Sequence, residues 1–164
     1  MVNSFEQTLI GKPEQWLIET GAIIQIDFSK LVHEITNEFI NHSIKRHGDP
    51  KIHGGATITT EDFDRIADIV KTPDFAIIGA MRKKTLMNAY AKIDNGITFL
   101  YFEEVLISRR NKALRGKTFY KVTRQLSLDE VLEKVSRTGK TDISKAVIFH
   151  SQINVQPAGG HPGG

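Results

Sequence analysis

Residues 86–107, LMNAYAKIDNGITFLYFEEVLI, decide the fold class of this chain. Two runs rich in β-branched, aromatic and aliphatic residues, 86–93 and 97–107, stand on either side of Asp94-Asn95-Gly96. An Asn-Gly pair between two such runs strongly favours a β-hairpin, because the tight turn needs residues that accept positive φ angles. The stretch therefore predicts two antiparallel strands.

Three further segments have the composition of strands. Residues 75–78 are continuously apolar, residues 117–123 alternate between two faces, and residues 146–150 are again rich in apolar side chains. Together with the hairpin, these segments predict an antiparallel meander.

Helices are predicted on the N-terminal side of these strands. A short helix is expected around residues 13–19. A longer helix is expected over residues 29–47, where Ser29 is a suitable N-cap and apolar residues recur at helical spacing. Gly48 supplies the expected stop of this second helix.

Two capped helices are predicted later in the chain. Thr59, with Asp62 three residues on, resembles a capping box and opens a helix that ends at Thr72-Pro73. Residues 127–137 predict another capped, amphipathic helix. Because helices come first and an antiparallel meander with a late helix follows, we predict an α+β fold in which N-terminal helices pack on a twisted antiparallel β-sheet.

The chain of 164 residues has the length of one domain. We expect an N-terminal extension or linker over residues 1–28, the domain itself over residues 29–152, and a disordered tail over residues 153–164, which contains PAGGHPGG. The longest apolar stretch, 75–81, is far below the about 20 residues that span a bilayer, so no membrane segment is expected. No secretory signal is visible at the N-terminus.

Basic residues are concentrated in one part of the chain, although the net charge is only +3. Residues 109–124 contain seven bases and no acid, with Phe119 and Tyr120 among them. Such a block suits a polyanion such as RNA, and a solvated basic face is the alternative. The chain has no cysteine, which excludes disulfides and zinc sites built on thiolates.

Histidine is the residue type here best suited to acid–base chemistry, and the chain has six. His42 and His47 share the predicted helix, with His42 expected on its buried side and His47 in its last turn. The helix C-terminus favours a protonated imidazole by about 0.3–1 kcal/mol. A neutral imidazole near a charged one could activate a ribose 2′-hydroxyl and protonate the departing 5′-oxygen, as RNA cleavage without a metal requires. The alternative is that both are ordinary surface or boundary residues.

A metal site built on these histidines is disfavoured by their spacing. His42 and His47 are five residues apart and point about 140° away from each other, whereas two ligands on one helix are usually four residues apart. We therefore expect no metal ligands and no cofactor. His53, on the following loop, keeps the metal alternative open, and it could also replace His42 as the partner of His47.

Several motifs resemble the phage-associated branch of the barnase/EndoU/colicin/RelE-like (BECR) nucleases. The segment 33–50, which ends in Lys45-Arg46-His47-Gly48-Asp49-Pro50, is similar to the histidine-bearing helix of that family. The other motifs follow in the family's order: 58–62, 69–75, 90–92, 101–105 and 117–121. The resemblance covers roughly residues 25–125, and it implies a BECR-like fold.

The resemblance also implies roles for individual residues. His47 is the first choice for the general acid or base, with His42 as its partner and Asp49 as a residue that could orient it. Thr118 would contact the scissile phosphate, and Lys92 would stabilise negative charge in the transition state. The residues expected to bind the substrate are Arg46, Arg109, Arg110, Arg115, Lys117, Tyr120 and Lys121. For each of these residues, an ordinary structural or solvated role is the alternative.

The function implied by the resemblance is that of a metal-independent ribonuclease toxin. We expect it to cleave RNA, with tRNA as a candidate, by acid–base transesterification to a 2′,3′-cyclic phosphate. Similar domains lie at the C-termini of phage minor head proteins and polymorphic toxins. This resemblance implies that the domain is delivered into the cytoplasm of a target cell and that a cognate immunity protein exists. A non-catalytic phage accessory or nucleic-acid-binding module is the alternative. The catalytic hypothesis requires that His47 face Thr118 across one cleft.

Overall fold

The computed structural model of the chain describes residues 7–151 and 153–157. Its strands are β1 (Gln7–Gly11), β2 (His33–Thr36), β3 (Phe75–Arg82), β4 (Thr85–Asp94), β5 (Ile97–Ile107), β6 (Lys112–Val122), β7 (Thr141–Asp142), β8 (Val147–His150) and β9 (Ile153–Pro157). Its helices are α1 (Gln15–Ile23), α2 (Asn37–His47), α3 (Pro50–His53), α4 (Ile66–Lys71) and α5 (Leu128–Arg137).

The described strands form a single sheet. Its order is β1-β2-β6-β5-β4-β3-β8-β9, and β7 pairs with the C-terminal end of β3. Neighbouring strands are antiparallel except β2 and β6, which run parallel through His33–Leu114 and Glu34–Arg115. The structure thereby confirms the predicted α+β fold with a largely antiparallel sheet.

Each face of the sheet is covered by helices, and two apolar cores result. On one face, Leu17 of α1, Phe39 of α2 and Ile69 of α4 pack with Tyr101 of β5. On the other face, α5 packs its valines against the sheet around Phe102. Tyr101 and Phe102 are adjacent and fully buried on opposite faces, as the two-residue period of a strand requires.

The hairpin that decided the fold class is confirmed. Strands β4 and β5 pair from Met87–Glu104 to Asp94–Ile97, and the turn between them has φ angles of 51° at Asn95 and 75° at Gly96. The late helix is confirmed as well, because the Ser127 hydroxyl accepts from the backbone of Glu130 and the Glu130 carboxylate accepts from that of Ser127.

The predicted helix over residues 29–47 is wrong in its first half. Residues 33–36 form strand β2, and the helix begins only after Thr36, whose hydroxyl accepts from the backbone N–H of Phe39 at 3.1 Å. Apolar side chains such as those of Val32 and Ile35 can match helical spacing although their segment forms a strand, when neighbouring strands pair with its backbone. Here β1 and β6 do so, and the N–H of Leu114 donates to the carbonyl of Val32 at 2.8 Å.

Two segments next to the predicted domain boundaries have defined places in the structure. Within residues 7–28, the segment expected to be an extension or linker, Leu17 and Phe28 are completely buried in the core. At the other end, residues 153–157 form β9 on β8, so this part of the expected tail is ordered as a strand. Residues 158–164 lie outside the described part of the chain.

The parallel contact between β2 and β6 is short, and this creates the site. After Glu34 the chain no longer pairs with β6, and after Thr36, the last residue paired with β1, it continues as α2, which runs beside β6 in place of a further strand. The part of β6 from Gly116 onward therefore has β5 on one side and a helix on the other.

Of the helices in the described residues, none is both long and apolar enough to cross a membrane.

Candidate functional site

A cleft of about 860 Å³ opens along β6. One wall is α2, the floor is formed by residues 115–120 of β6, and the opposite wall is the C-terminal turn of α5 with Thr138 and Gly139. Arg82, at the end of β3, closes one side. The volume is within the usual range of small-ligand sites, about 300–1,000 Å³.

His47 stands in this cleft at the last residue of α2. Its ring lies 5.5 Å from the ring of Tyr120, at an interplanar angle of 29°, and 5.6 Å from the ring of His53. Burial lowers the pKa of His47, and the positive charges of His53, Arg46 and His42 lower it further. Desolvation and like charges thus disfavour the protonated form of this imidazole, and they act against the favourable effect expected from the helix C-terminus.

The candidate partners of His47 are arranged differently from expectation. His42 lines the same cleft but is exposed, not on the buried side of the helix. His53 bonds through Nε2 to the backbone oxygen of Arg46 at 2.9 Å, which places its ring beside His47. Asp49 caps α3, where its Oδ1 accepts from the N–H of Lys51 at 2.9 Å, so this oxygen is used by the turn.

Thr118 and His47 both line the cleft, as the catalytic hypothesis requires. The Thr118 hydroxyl accepts a long hydrogen bond of 3.4 Å from Nη1 of Arg82. Tyr120, two residues on, bonds through its hydroxyl to that of Thr138 at 2.9 Å, and its ring lies 6.1 Å from that of Phe102. Burial raises the pKa of the Tyr120 phenol, so it stays neutral.

Several cations of the cleft are already paired with carboxylates. Arg115 donates through Nε and Nη2 to Glu34 at 3.1 and 3.0 Å, and Nζ of Lys117 lies 3.6 Å from Glu104. Arg46 is exposed on α2 at the mouth of the cleft. The lining contains six arginines and lysines but only two glutamates, so the cleft is positive, although some of these cations are already bound to carboxylates.

Four of the predicted site residues lie outside the cleft. Nζ of Lys92 donates to the backbone and side-chain oxygens of Thr72, at 2.5 and 2.9 Å, away from His47. Nζ of Lys121 bonds to Asp62 at 2.9 Å. Arg109 and Arg110 are exposed in the turn between β5 and β6. The structure therefore does not bring Lys92 to His47, because β4 is separated from α2 by two strands.

Arg82 and the turn at Thr138 and Gly139 line the cleft but were not predicted as site residues from the sequence. These residues come from two segments that are far from α2 in the chain, and they meet it only through the sheet. One signal existed, since Arg82-Lys83-Lys84 is more basic than a simple hairpin turn requires. It did not distinguish the inward-facing Arg82 from its two exposed neighbours.

A buried polar network joins β2 to the central strands. Glu103 is completely buried and accepts from Nδ1 of His33 at 2.7 Å, from Nδ2 of Asn88 at 3.1 Å, and from the hydroxyl of Tyr90. A buried carboxylate needs such donors, since its transfer from water is otherwise very unfavourable. His33 is therefore a structural residue that holds β2, and with it the start of α2, against the sheet.

No group of three or more His, Asp or Glu side chains placed to hold a metal ion occurs among the residues that the structure describes.

Comparison of the chain with curated proteins and with solved structures finds no match. A family model does match residues 11–129, from the end of β1 to the start of α5, and so includes His47 and Thr118. Because most of its length matches, the chain belongs to the family described as phage-Barnase-EndoU-ColicinE5/D-RelE like nuclease 3.

Proposed function

We propose that this nuclease is a metal-independent endoribonuclease toxin that cleaves RNA by transesterification. Family membership makes it an enzyme that acts on nucleic acid. The observation that carries the finer proposal is the placement of His47, whose pKa is lowered, in one positive cleft with His42 and Thr118. Two imidazoles that line one cleft with the Thr118 hydroxyl can supply both the base and the acid of this reaction.

In the proposed reaction, neutral His47 is the general base. It takes the proton of a ribose 2′-hydroxyl, and the 2′-oxygen then forms a bond to the adjacent phosphorus. The bond from phosphorus to the 5′-oxygen breaks as protonated His42 gives its proton to that oxygen. The products are a 2′,3′-cyclic phosphate and a 5′-hydroxyl, and the two histidines exchange protons with water to restore the starting state.

The lowered pKa of His47 supports its assignment as the base. A base must be unprotonated before the reaction, and burial beside three other positive or titratable groups disfavours the imidazolium form. His42 is exposed, so water can return a proton to it between turnovers. The Thr118 hydroxyl would donate to a non-bridging phosphate oxygen, while Arg46 and Lys117 would hold the neighbouring phosphates.

The proposal extends to the substrate and its setting. The substrate is RNA, with tRNA as a candidate, because the chemistry requires a 2′-hydroxyl that DNA lacks. Because the chain resembles domains found at the ends of phage head proteins and polymorphic toxins, we propose delivery into a target cell and its cytoplasm as the place of action. A cell that makes such a nuclease needs a cognate immunity protein, which would cover the positive cleft.

The test is cleavage of a fluorescent RNA by the purified chain in EDTA. We expect a 2′,3′-cyclic phosphate product, no cleavage when 2′-deoxynucleotides replace the ribonucleotides, and loss of activity in His47→Ala. The matched control is His150→Ala, which removes a histidine from β8, outside the cleft. Undiminished cleavage by folded His47→Ala would refute the assignment, and inhibition by EDTA would favour a metal-dependent nuclease.

The second candidate function is non-catalytic binding of nucleic acid. It is favoured by the exposed Arg109 and Arg110, which lie outside the cleft and suit contact with a phosphate backbone. Its expected result is salt-dependent binding of RNA with no cleavage at any protein concentration.

A further inference from the structure

The guanidinium of Arg82 is held in a cradle of neutral groups at the side of the cleft. Its Nε donates to the hydroxyl of Thr141 and its Nη2 to the carbonyl of Thr138, both at 3.3 Å, and its Nη1 donates to the hydroxyl of Thr118 at 3.4 Å. The guanidinium carbon lies 5.3 Å from the centre of the Phe102 ring. Four contacts from three elements therefore fix the position of this charge.

Gly139 makes this cradle sterically possible. Its φ is +66°, and a Cβ added there would lie 2.5 Å from Nε and 2.8 Å from Cζ of Arg82. A side chain at this position would push the guanidinium away from the turn. The close approach of backbone and guanidinium thus depends on a residue without a side chain.

Within the described residues Arg82 has no acidic partner, which distinguishes it from three other cations that line the cleft, although not from Arg46 or Lys134. Arg115, Lys117 and Arg137 each pair with a carboxylate, whereas no ion pair to Arg82 is formed within the described residues. An arginine has five N–H donors, and the three hydrogen bonds of the cradle leave one N–H on each terminal nitrogen for a ligand. Two such N–H groups match two oxygens of a phosphate.

We propose that Arg82 forms the principal phosphate-binding site of the cleft and holds the phosphodiester that lies against Thr118. A half-buried cation that is held by neutral groups and has no counterion is stabilised when an anion arrives, and its position is already set before the anion binds. Its cradle also includes residues 138–141, which lie beyond the segment matched by the family model. The identity of the phosphodiester as the reacting one rests on the proposed function, but binding of nucleic acid at Arg82 does not.

The experiment measures binding and cleavage separately. Binding uses a short, fluorescent, single-stranded 2′-O-methyl RNA, which lacks the attacking hydroxyl, over a series of salt concentrations. Cleavage uses the corresponding unmodified RNA. The variants are Arg82→Gln, which removes the charge, and Arg82→Lys, which keeps the charge but loses the planar fork. The control is Arg65→Gln, an identical charge change outside the cleft.

We expect Arg82→Gln to lower the slope of log K against log salt by about 0.7, the value for one phosphate contact on a single strand. We expect its cleavage rate to fall by about 10²–10³-fold, as when a fixed donor to the transition state is removed. Arg82→Lys should keep the salt slope and lose part of the rate. The control should keep both. A salt slope and rate in Arg82→Gln equal to those of Arg65→Gln would overturn the proposal.

Failure of this proposal and failure of the proposed function give different results. If wild type cleaves RNA and Arg82→Gln behaves as the control does, the Arg82 site is wrong and the ribonuclease stands. If wild type cleaves no RNA but Arg82→Gln still lowers the salt slope, the reaction is wrong and the binding site stands. If Arg82→Gln does not fold, Gly139→Ala replaces it, because the added Cβ displaces the guanidinium without changing the charge, and unchanged binding and cleavage in folded Gly139→Ala would overturn the Arg82 site.

Discussion

Replacing Arg115 by glutamine tests whether this cation serves the fold or the substrate. Arg115 donates twice to one oxygen of Glu34, which is only 3% exposed. Breaking a buried ion pair by removing one partner costs about 3–5 kcal/mol, because the other charge remains buried without compensation. The side chain of Arg115 is 28% exposed, so water reaches part of the pair and we expect the lower limit, about 3 kcal/mol.

This loss of free energy is large enough to measure by thermal and urea unfolding. For a chain of this size, 1 kcal/mol lowers the Tm by about 2–4 °C, so Arg115→Gln should lower it by about 6–12 °C. The matched control is the double variant Arg115→Gln with Glu34→Gln, in which two amides of similar shape replace the two charges. It should regain most of the lost stability, because no unpaired charge is left buried.

Two results would refute this reasoning. One is a double variant whose loss equals the sum of the two single losses, because the residues would then be energetically independent. The other is an Arg115→Gln variant with the stability of wild type but greatly reduced cleavage. Cleavage is measured at a temperature below the Tm of the least stable variant. That second result would return Arg115 to the substrate-binding role expected from the sequence.

Three further predictions follow from the site. Because burial and neighbouring positive charges lower the pKa of His47, its basic form persists to lower pH, and the acid limb of kcat/KM should lie below pH 6.5. His53→Ala removes one of those charges and should move the limb upward, whereas a downward shift would contradict the assignment. Thr36→Ala removes the N-cap of α2 and should cost about 1 kcal/mol in urea unfolding, a loss that Thr36→Ser should largely avoid. Lys92→Gln should leave kcat/KM within about twofold of wild type, since Nζ is bound to Thr72 outside the cleft, and a loss comparable to that of His47→Ala would restore its predicted catalytic role.

For the helix that carries His47, the local sequence pattern predicted one end correctly and the other end wrongly. Its end at Gly48 was predicted correctly, because stop signals act through neighbouring backbone groups. Its start was placed eight residues too early, at Ser29 instead of Asn37. The residues of β2 form a strand because β1 and β6 offer hydrogen bonds on both sides, and those strands come from distant parts of the chain.

The positions of the site residues, too, were predicted only in part from the sequence. The order of the family motifs predicted that Thr118 and His47 face one cleft. In the structure both residues line one cleft. Lys92 has the same charge as Arg82, yet it lies outside the cleft while Arg82 lies within it. A sequence shows that a residue is basic, but the strand order and the side of the sheet decide what that charge meets.

Local information was enough for the hairpin at Asn95-Gly96, the capped helix after Ser127 and the histidine at the end of α2. Each depends on backbone conformations and hydrogen bonds within a few residues, which residue type controls directly. The pairing of Arg115 with Glu34, the freedom of Arg82 from any acid in the described structure, and the lowered pKa of His47 arise only after folding. They depend on burial and on charges brought together across the sheet, and both are properties of distances in space rather than of spacing along the chain.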